Sequence, residues 1–158
     1  MKNSITIFLV DDDPLYSKML EAYLLKSFPF SIRIFLSGEE CLKYMTEEPE
    51  IIFLDYFLNS KDAGSKNGLQ ILKQIREMNM ETKVVMLSGQ DDMEVAISCM
   101  RNGAFDYIIK GETAFMQVKK TVLHFYHLKD LNKYKTISYV SIGAIAAVIG
   151  VAAILHIF

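Results

Sequence analysis

From Ile5 to about Leu131 the chain repeats one pattern: a short apolar run rich in branched residues, then a longer stretch with apolar positions at helical spacing. The short runs are Ile5–Val10, Ile32–Leu36, Ile51–Leu54, Lys83–Leu87 and Tyr107–Ile109. Runs of this length without polar alternation predict strands covered on both faces. The first intervening stretch, Pro14 to about Phe28, carries Leu15, Met19, Leu20, Tyr23 and Leu24 in a helical rhythm. Ser37 followed by Glu40 predicts a capping box opening a second helix through Cys41, Leu42 and Met45, which Pro49 ends. Leu69, Leu72, Ile75 and Met78 mark a third helix. A fourth spans Asp91–Asn102, with Met93, Ala96, Ile97 and Met100 on one side and Gly103 as its stop. A fifth runs from Ala114 to about Leu131. Five strands alternating with five helices through short connections predict an α/β domain, a parallel sheet with helices on both faces.

In such sheets, reactive groups collect beyond the carboxyl ends of the strands. The first strand runs into Asp11, Asp12 and Asp13, the third into Asp55, the fourth into Ser88 and the fifth into Lys110. Any one of these alone reads as a turn former or as solvated surface. At four strand ends together they describe chemistry. Paired carboxylates repel each other in a dry site unless a cation offsets them. A set of Asp11, Asp12 and Asp55 with no His or Cys offers only oxygen ligands, which suits Mg²⁺. A carboxylate can also act as a nucleophile and become an acyl phosphate. Lys110 and the Ser88 hydroxyl would then neutralise and hold the transferred oxygens.

Charge and cysteine content narrow the setting. Lys and Arg number 17 against 19 Asp and Glu, a formal net charge of -2, so no basic surface advertises nucleic-acid binding. Cys41 and Cys99 lie far apart with no metal-ligand spacing, and read as reduced packing residues. His124 and His127, flanked by Phe125, Tyr126 and Leu128, read as packing or interface residues, as do the aromatics Tyr16, Phe28 and Phe30. The opening stretch MKNSITIFLVDDD ends in acids, not in a small-residue cleavage site, and does not read as a signal peptide.

The stretches ITIFLVDDDP, IIFLDYFL, KVVMLSGQ and GAFDYIIKG resemble the receiver domain of two-component response regulators, over about residues 3–131. That resemblance implies a flavodoxin-like, doubly wound five-stranded parallel sheet of order 2-1-3-4-5 with five flanking helices. It implies that Asp11 and Asp12 hold Mg²⁺ together with Asp55 and the backbone carbonyl of Phe57. It makes Asp55 the phosphoacceptor, Lys110 the lysine that pairs with the phosphate, Ser88 the switch hydroxyl and Tyr107 the switch aromatic. Asp13 matches a third acid that is not usually a ligand. The phosphodonor would be a histidine kinase or a phosphotransfer protein, and the only catalysis self-phosphorylation and self-dephosphorylation. A partner-binding face would lie around residues 91–131. Two departures stand out. The stretch DYFLNSKDAGSKNGLQIL lacks the family's proline and has a longer loop before Gly68, with Lys61 and Lys66 read as solubilising. Gly111 replaces a proline after the lysine, so a trans bond is expected there. The bulky Phe57 is expected to restrict attacking water and prolong the phosphorylated state.

From Thr136 to Phe158 there is no Asp, Glu, Lys or Arg. A helix over Ile137–Phe158 would reach about 33 Å, enough to cross a hydrocarbon core. It predicts a single-pass C-terminal membrane anchor after a basic linker at 132–136, leaving the domain of residues 1–131 in the cytoplasm. Gly143, Ala146 or Ala147, Gly150 and Ala153 form a small-residue stripe that would allow a homodimer. Two other functions stay open on the sequence: an α/β phosphatase or transferase using an aspartyl phosphate, and a receiver-like membrane scaffold that does not switch.

Overall fold

The computed structural model describes residues 5–27, 30–58 and 66–127. The chain divides into two compact units, residues 1–120 and 121–158. The first holds five parallel strands, β1 (Thr6–Val10), β2 (Ser31–Phe35), β3 (Ile51–Asp55), β4 (Lys83–Ser88) and β5 (Asp106–Ile109). They are joined in the order β2-β1-β3-β4-β5, as the resemblance implied. Between them lie α1 (Pro14–Leu25), α2 (Gly38–Lys43) with a single 3-10 turn at Met45–Glu47, α3 (Gly68–Met78) and α4 (Met93–Arg101). A fifth helix, α5, runs from 114 and is described as far as 127.

Strand parity builds the two faces of the sheet. Phe8, Val10, Ile52, Leu54, Val84 and Met86 join Cys41 of α2, Ile71, Leu72 and Ile75 of α3, and Cys99 of α4 in one buried cluster. The alternate residues Ile7, Leu9, Phe53, Val85 and Leu87 face the other way and are equally buried, as are Leu20 and Leu24 of α1 and Ala114 and Val118 of α5. Both cysteines are buried and free, as expected.

Local chemistry sets the helix ends. Asp13 caps α1, its side chain accepting from the amides of Leu15 and Tyr16, with Pro14 pre-set for the first turn. Ser37 caps α2 through the Glu40 amide. Asn67 and Gln70 form a full capping box on α3. Gly103, at φ 91, ends α4 in the left-handed region where a Cβ is penalised. At the opposite sheet edge from the acids, the Arg76 guanidinium donates to the carbonyls of Gly103 at 2.9 Å and Thr82 at 2.7 Å. It thereby ties the end of α3 to the turns entering β4 and β5.

One expectation is corrected. No helix among the described residues is long and apolar enough to cross a membrane. Of the helices between the strands, α1 with 12 residues rises only about 18 Å against a hydrocarbon core of ~30 Å, and α2, α3 and α4 are shorter still. No described helix supplies the single-pass anchor on which the membrane localisation rested. The apolar helix over 137–158, the linker 132–136 and the small-residue dimer stripe lie outside the described residues. Leu15 and Met19 of α1 and Met93, Ile97 and Met100 of α4 are exposed. His124 and His127 are exposed.

Candidate functional site

Register brings the acids together. Val10 pairs with Leu54, so the residues that follow them, Asp11 and Asp55, leave adjacent strands side by side. Leu54 pairs in turn with Met86, and Ser88 with Ile109, so Ser88 and Lys110 reach the same edge. Asp11 and Asp55 are 2% and 4% exposed, unusual for carboxylates. One oxygen each from Asp11, Asp12 and Asp55 lies within 4.8 Å of the others. Among the described residues this is the sole such group of His, Cys, Asp and Glu side chains.

Lys110 completes the arrangement. Its ammonium lies 2.7 Å from Asp11 Oδ2 and 2.8 Å from Asp55 Oδ2, bridging the two buried acids. Asp11 Oδ1 accepts the Asp13 amide at 3.0 Å, and Asp55 Oδ1 accepts the Phe57 amide at 3.2 Å. Burial pushes the Asp11 carboxyl above its ordinary range. The hydrogen bonds from Lys110 and the Asp13 amide oppose that rise, and the neighbouring Asp55 charge adds to it. Burial alone would lower Lys110, but its bonds to Asp11 and Asp55 outweigh burial and hold it above the usual lysine value. Three carboxylates facing one ammonium leave two negative charges, the charge that a divalent cation offsets. The donor set therefore fits a hard, oxygen-seeking ion.

Ser88 reaches the correct edge, but its hydroxyl does not engage the acids. It donates to the Gln90 carbonyl at 3.3 Å and accepts the Gln90 amide at 3.2 Å. Tyr107 donates its hydroxyl to the same Gln90 carbonyl at 3.2 Å. The two residues expected to switch thus share one acceptor. Phe57 stands beside the site, half open to solvent and edge-on to Tyr56 at 4.8 Å. Asp13 serves as the α1 cap and lies outside the cluster of acids.

Two residues named in the sequence were not given a part in the site. Gly68 donates its amide to the Tyr56 carbonyl at 2.9 Å, closing the long loop directly against the end of β3. A Cβ there would lie 2.2 Å from the Asp55 carbonyl oxygen, so only glycine allows α3 to start so close. Tyr16 was read as simple packing. Its ring faces the Lys110 ammonium at 4.7 Å, and burial pushes its phenol up to about 12. The signal was present in α1, where Tyr16, Leu20 and Leu24 form a stripe at helical spacing that competes with the one through Leu15 and Met19. Every described peptide bond is trans, including the expected one after Lys110.

The sequence pattern of the response regulator receiver domain matches residues 7–120. Among curated proteins, the probable C4-dicarboxylate response regulator DctR of Bacillus subtilis is 29% identical over 106 residues, covering 66% of this chain and 45% of the relative. The nitrogen assimilation regulatory protein NtrX of Azorhizobium caulinodans is 34% identical over 106 residues, 66% of this chain and 22% of the relative. The matched region thus spans less than half the length of these relatives. Among solved structures, the receiver domain of NtrX from Brucella abortus superposes with a TM-score of 0.64 at 30% identity, over 75% of this chain and 98% of that one. The signal receiver domain of a Luxo repressor protein from Vibrio parahaemolyticus, at 22% identity, shares the fold with a TM-score of 0.68, over 81% and 96%. With the pattern matched across all five strands and a buried cluster of aspartates at their carboxyl ends, the chain belongs to the response regulator receiver domain family and serves as a phosphorelay receiver that is phosphorylated on aspartate.

Proposed function

We propose that Asp55 is the phosphoacceptor, that Mg²⁺ is held at Asp11, Asp12 and Asp55, and that a histidine kinase or phosphotransfer protein supplies the phosphoryl group. The observation that carries this reading is the Lys110 ammonium seated between two buried carboxylates at the carboxyl edge of the sheet. An oxygen of Asp55 attacks phosphorus, the bond from phosphorus to the donor's leaving atom breaks, and an acyl phosphate forms. Mg²⁺, which the Phe57 backbone carbonyl would help to hold, would offset negative charge on the acids and the incoming group. Lys110 already sits at Asp55, so it can follow the developing charge onto a phosphoryl oxygen with little reorganisation.

The switch follows from the shared acceptor. A dianion on Asp55 favours a Ser88 hydroxyl that leaves Gln90 for a phosphoryl oxygen. Gln90 then retains only the Tyr107 hydroxyl, and the turn leading to α4 is re-set. The surface that would report this change lies at α4 and β5. There, Met93, Ile97 and Met100 of α4 with Phe105 and Ile109 at β5 form an exposed apolar area suited to protein contact.

The test is incubation with acetyl phosphate and Mg²⁺, followed by intact-mass measurement of wild type and Asp55→Asn. One added phosphoryl group in wild type alone supports the assignment. Equal gain in both proteins moves the nucleophile elsewhere.

A further inference from the structure

We propose that Tyr16 is a positioning residue for Lys110, its ring holding the ammonium over the Asp11–Asp55 pair and so setting how fast a phosphoryl group is captured. The inference rests on the reading of Asp55 as phosphoacceptor. A lysine head on a four-carbon stem carries much rotamer freedom, and a compact ammonium does not orient itself as a guanidinium fork does. Something must hold it. Its 4.7 Å separation from the Tyr16 ring centroid is well inside the ~6 Å reach of a cation–π contact. The same nitrogen contacts both carboxylates, so ring and acids together restrain it.

The ring is itself held. Phe115, near the start of α5, meets Tyr16 edge-on at 5.2 Å and touches Tyr23 at 5.7 Å, so Phe115 links two turns of α1. By contrast, nothing firm follows the lysine in the chain. Gly111 stands where the family commonly has proline, and a Cβ there would meet no atom within 4 Å. The lateral support that the following residue does not give is supplied across space by the aromatic wall.

The Tyr16 hydroxyl is buried and has no hydrogen-bond partner among the described residues. An orphaned hydroxyl costs stability. This separates two consequences of substitution: Tyr16→Phe keeps the ring and removes the orphan, whereas Tyr16→Leu and Tyr16→Met remove the π face.

The experiment follows initial phosphorylation of the full chain by acetyl phosphate with Mg²⁺, across donor concentrations. Tyr16→Phe is expected within about twofold of wild type, while Tyr16→Leu and Tyr16→Met lose roughly threefold to fivefold in maximal rate, the size of one such contact. The half-saturating donor concentration should change little. In a Lys110→Ala background, Tyr16→Leu should cost nothing further. A second readout needs neither metal nor donor: the Lys110 side-chain resonances should carry a ring-current shift in wild type and Tyr16→Phe that vanishes in Tyr16→Leu. Wild-type rates in folded Tyr16→Leu and Tyr16→Met, losses that multiply with Lys110→Ala, or an absent ring-current shift would overturn the proposal. Failure of wild type to accept phosphate would instead sink the underlying reading, and the resonance shift would survive it.

Discussion

Replacing Lys110 by Met keeps a stem of similar bulk and removes the ammonium that bridges Asp11 and Asp55. Both carboxylates remain buried, at 2% and 4% exposure, and now face each other without a cation. Removing one partner of a buried ion pair typically costs ~3–5 kcal/mol, because the surviving charge is left without compensation. The Lys110 side chain is 19% exposed, so water reaches part of the site and the lower end applies, about 3 kcal/mol. For a chain of this size that is roughly 6–12 °C in Tm, measured by scanning calorimetry in chelator at pH 8. The sign with pH follows from Asp11. Its folded pKa already lies above the ordinary 3.8, and loss of Lys110 removes an influence that lowers it. A carboxylate raised on folding contributes stability that is full below its unfolded value and lost as pH rises through the folded value. The Tm gap between variant and wild type should therefore be widest at pH 8 and narrow as pH falls toward the ordinary carboxylate range. Saturating Mg²⁺ should raise the variant more than wild type. At about one hundred times its Kd, an ion that binds only the folded state adds ~2.7 kcal/mol. A gap that stays the same at pH 8 and pH 5.5, and with chelator or Mg²⁺, would mean that the loss is one of packing, and would refute the electrostatic account.

Two further outcomes are expected. Phe57→Asn removes a partly exposed ring beside the site and should shorten the lifetime of the phosphorylated form; decay followed by intact mass that is unchanged or slower would refute the shielding role. Gly68→Ala would set a Cβ 2.2 Å from the Asp55 carbonyl oxygen and 2.8 Å from the Tyr56 Cα, backbone atoms that cannot step aside. Urea unfolding should register a loss of about 2–4 kcal/mol, and a loss under ~1 kcal/mol would show that the start of α3 can move away from β3.

The polar landmarks were readable because each lies where a strand stops. Asp11, Asp55, Ser88 and Lys110 all follow unbroken apolar runs, and the period of those runs places them at one edge whatever the detailed packing. Helix starts were nearly as plain where the cap is a short polar side chain, as at Asp13 and Ser37. The box at Asn67 and Gln70 was missed because the polar loop before it masks its start. Apolar spacing put Met93, Ile97 and Met100 on one side of α4, and only the structure shows that this side faces solvent. A helix on a small sheet buries one narrow stripe, here at Cys99, and periodicity does not say which of two stripes that is. The same ambiguity hid Tyr16. The membrane anchor came from composition alone, and no described helix has the length for it.

The order of apolar runs and turn residues by itself determined that this chain makes a parallel α/β sheet with acids at its carboxyl edge, because strand period and helix capping are local. Which acid sits beside which was decided by register, Val10 against Leu54, a pairing set by long-range hydrogen bonds. That Lys110 bridges Asp11 and Asp55, that Ser88 and Tyr107 share the Gln90 carbonyl, and that Tyr16 walls the lysine are also tertiary facts. Each depends on side chains from distant segments meeting within a few ångströms, which only the packed sheet enforces.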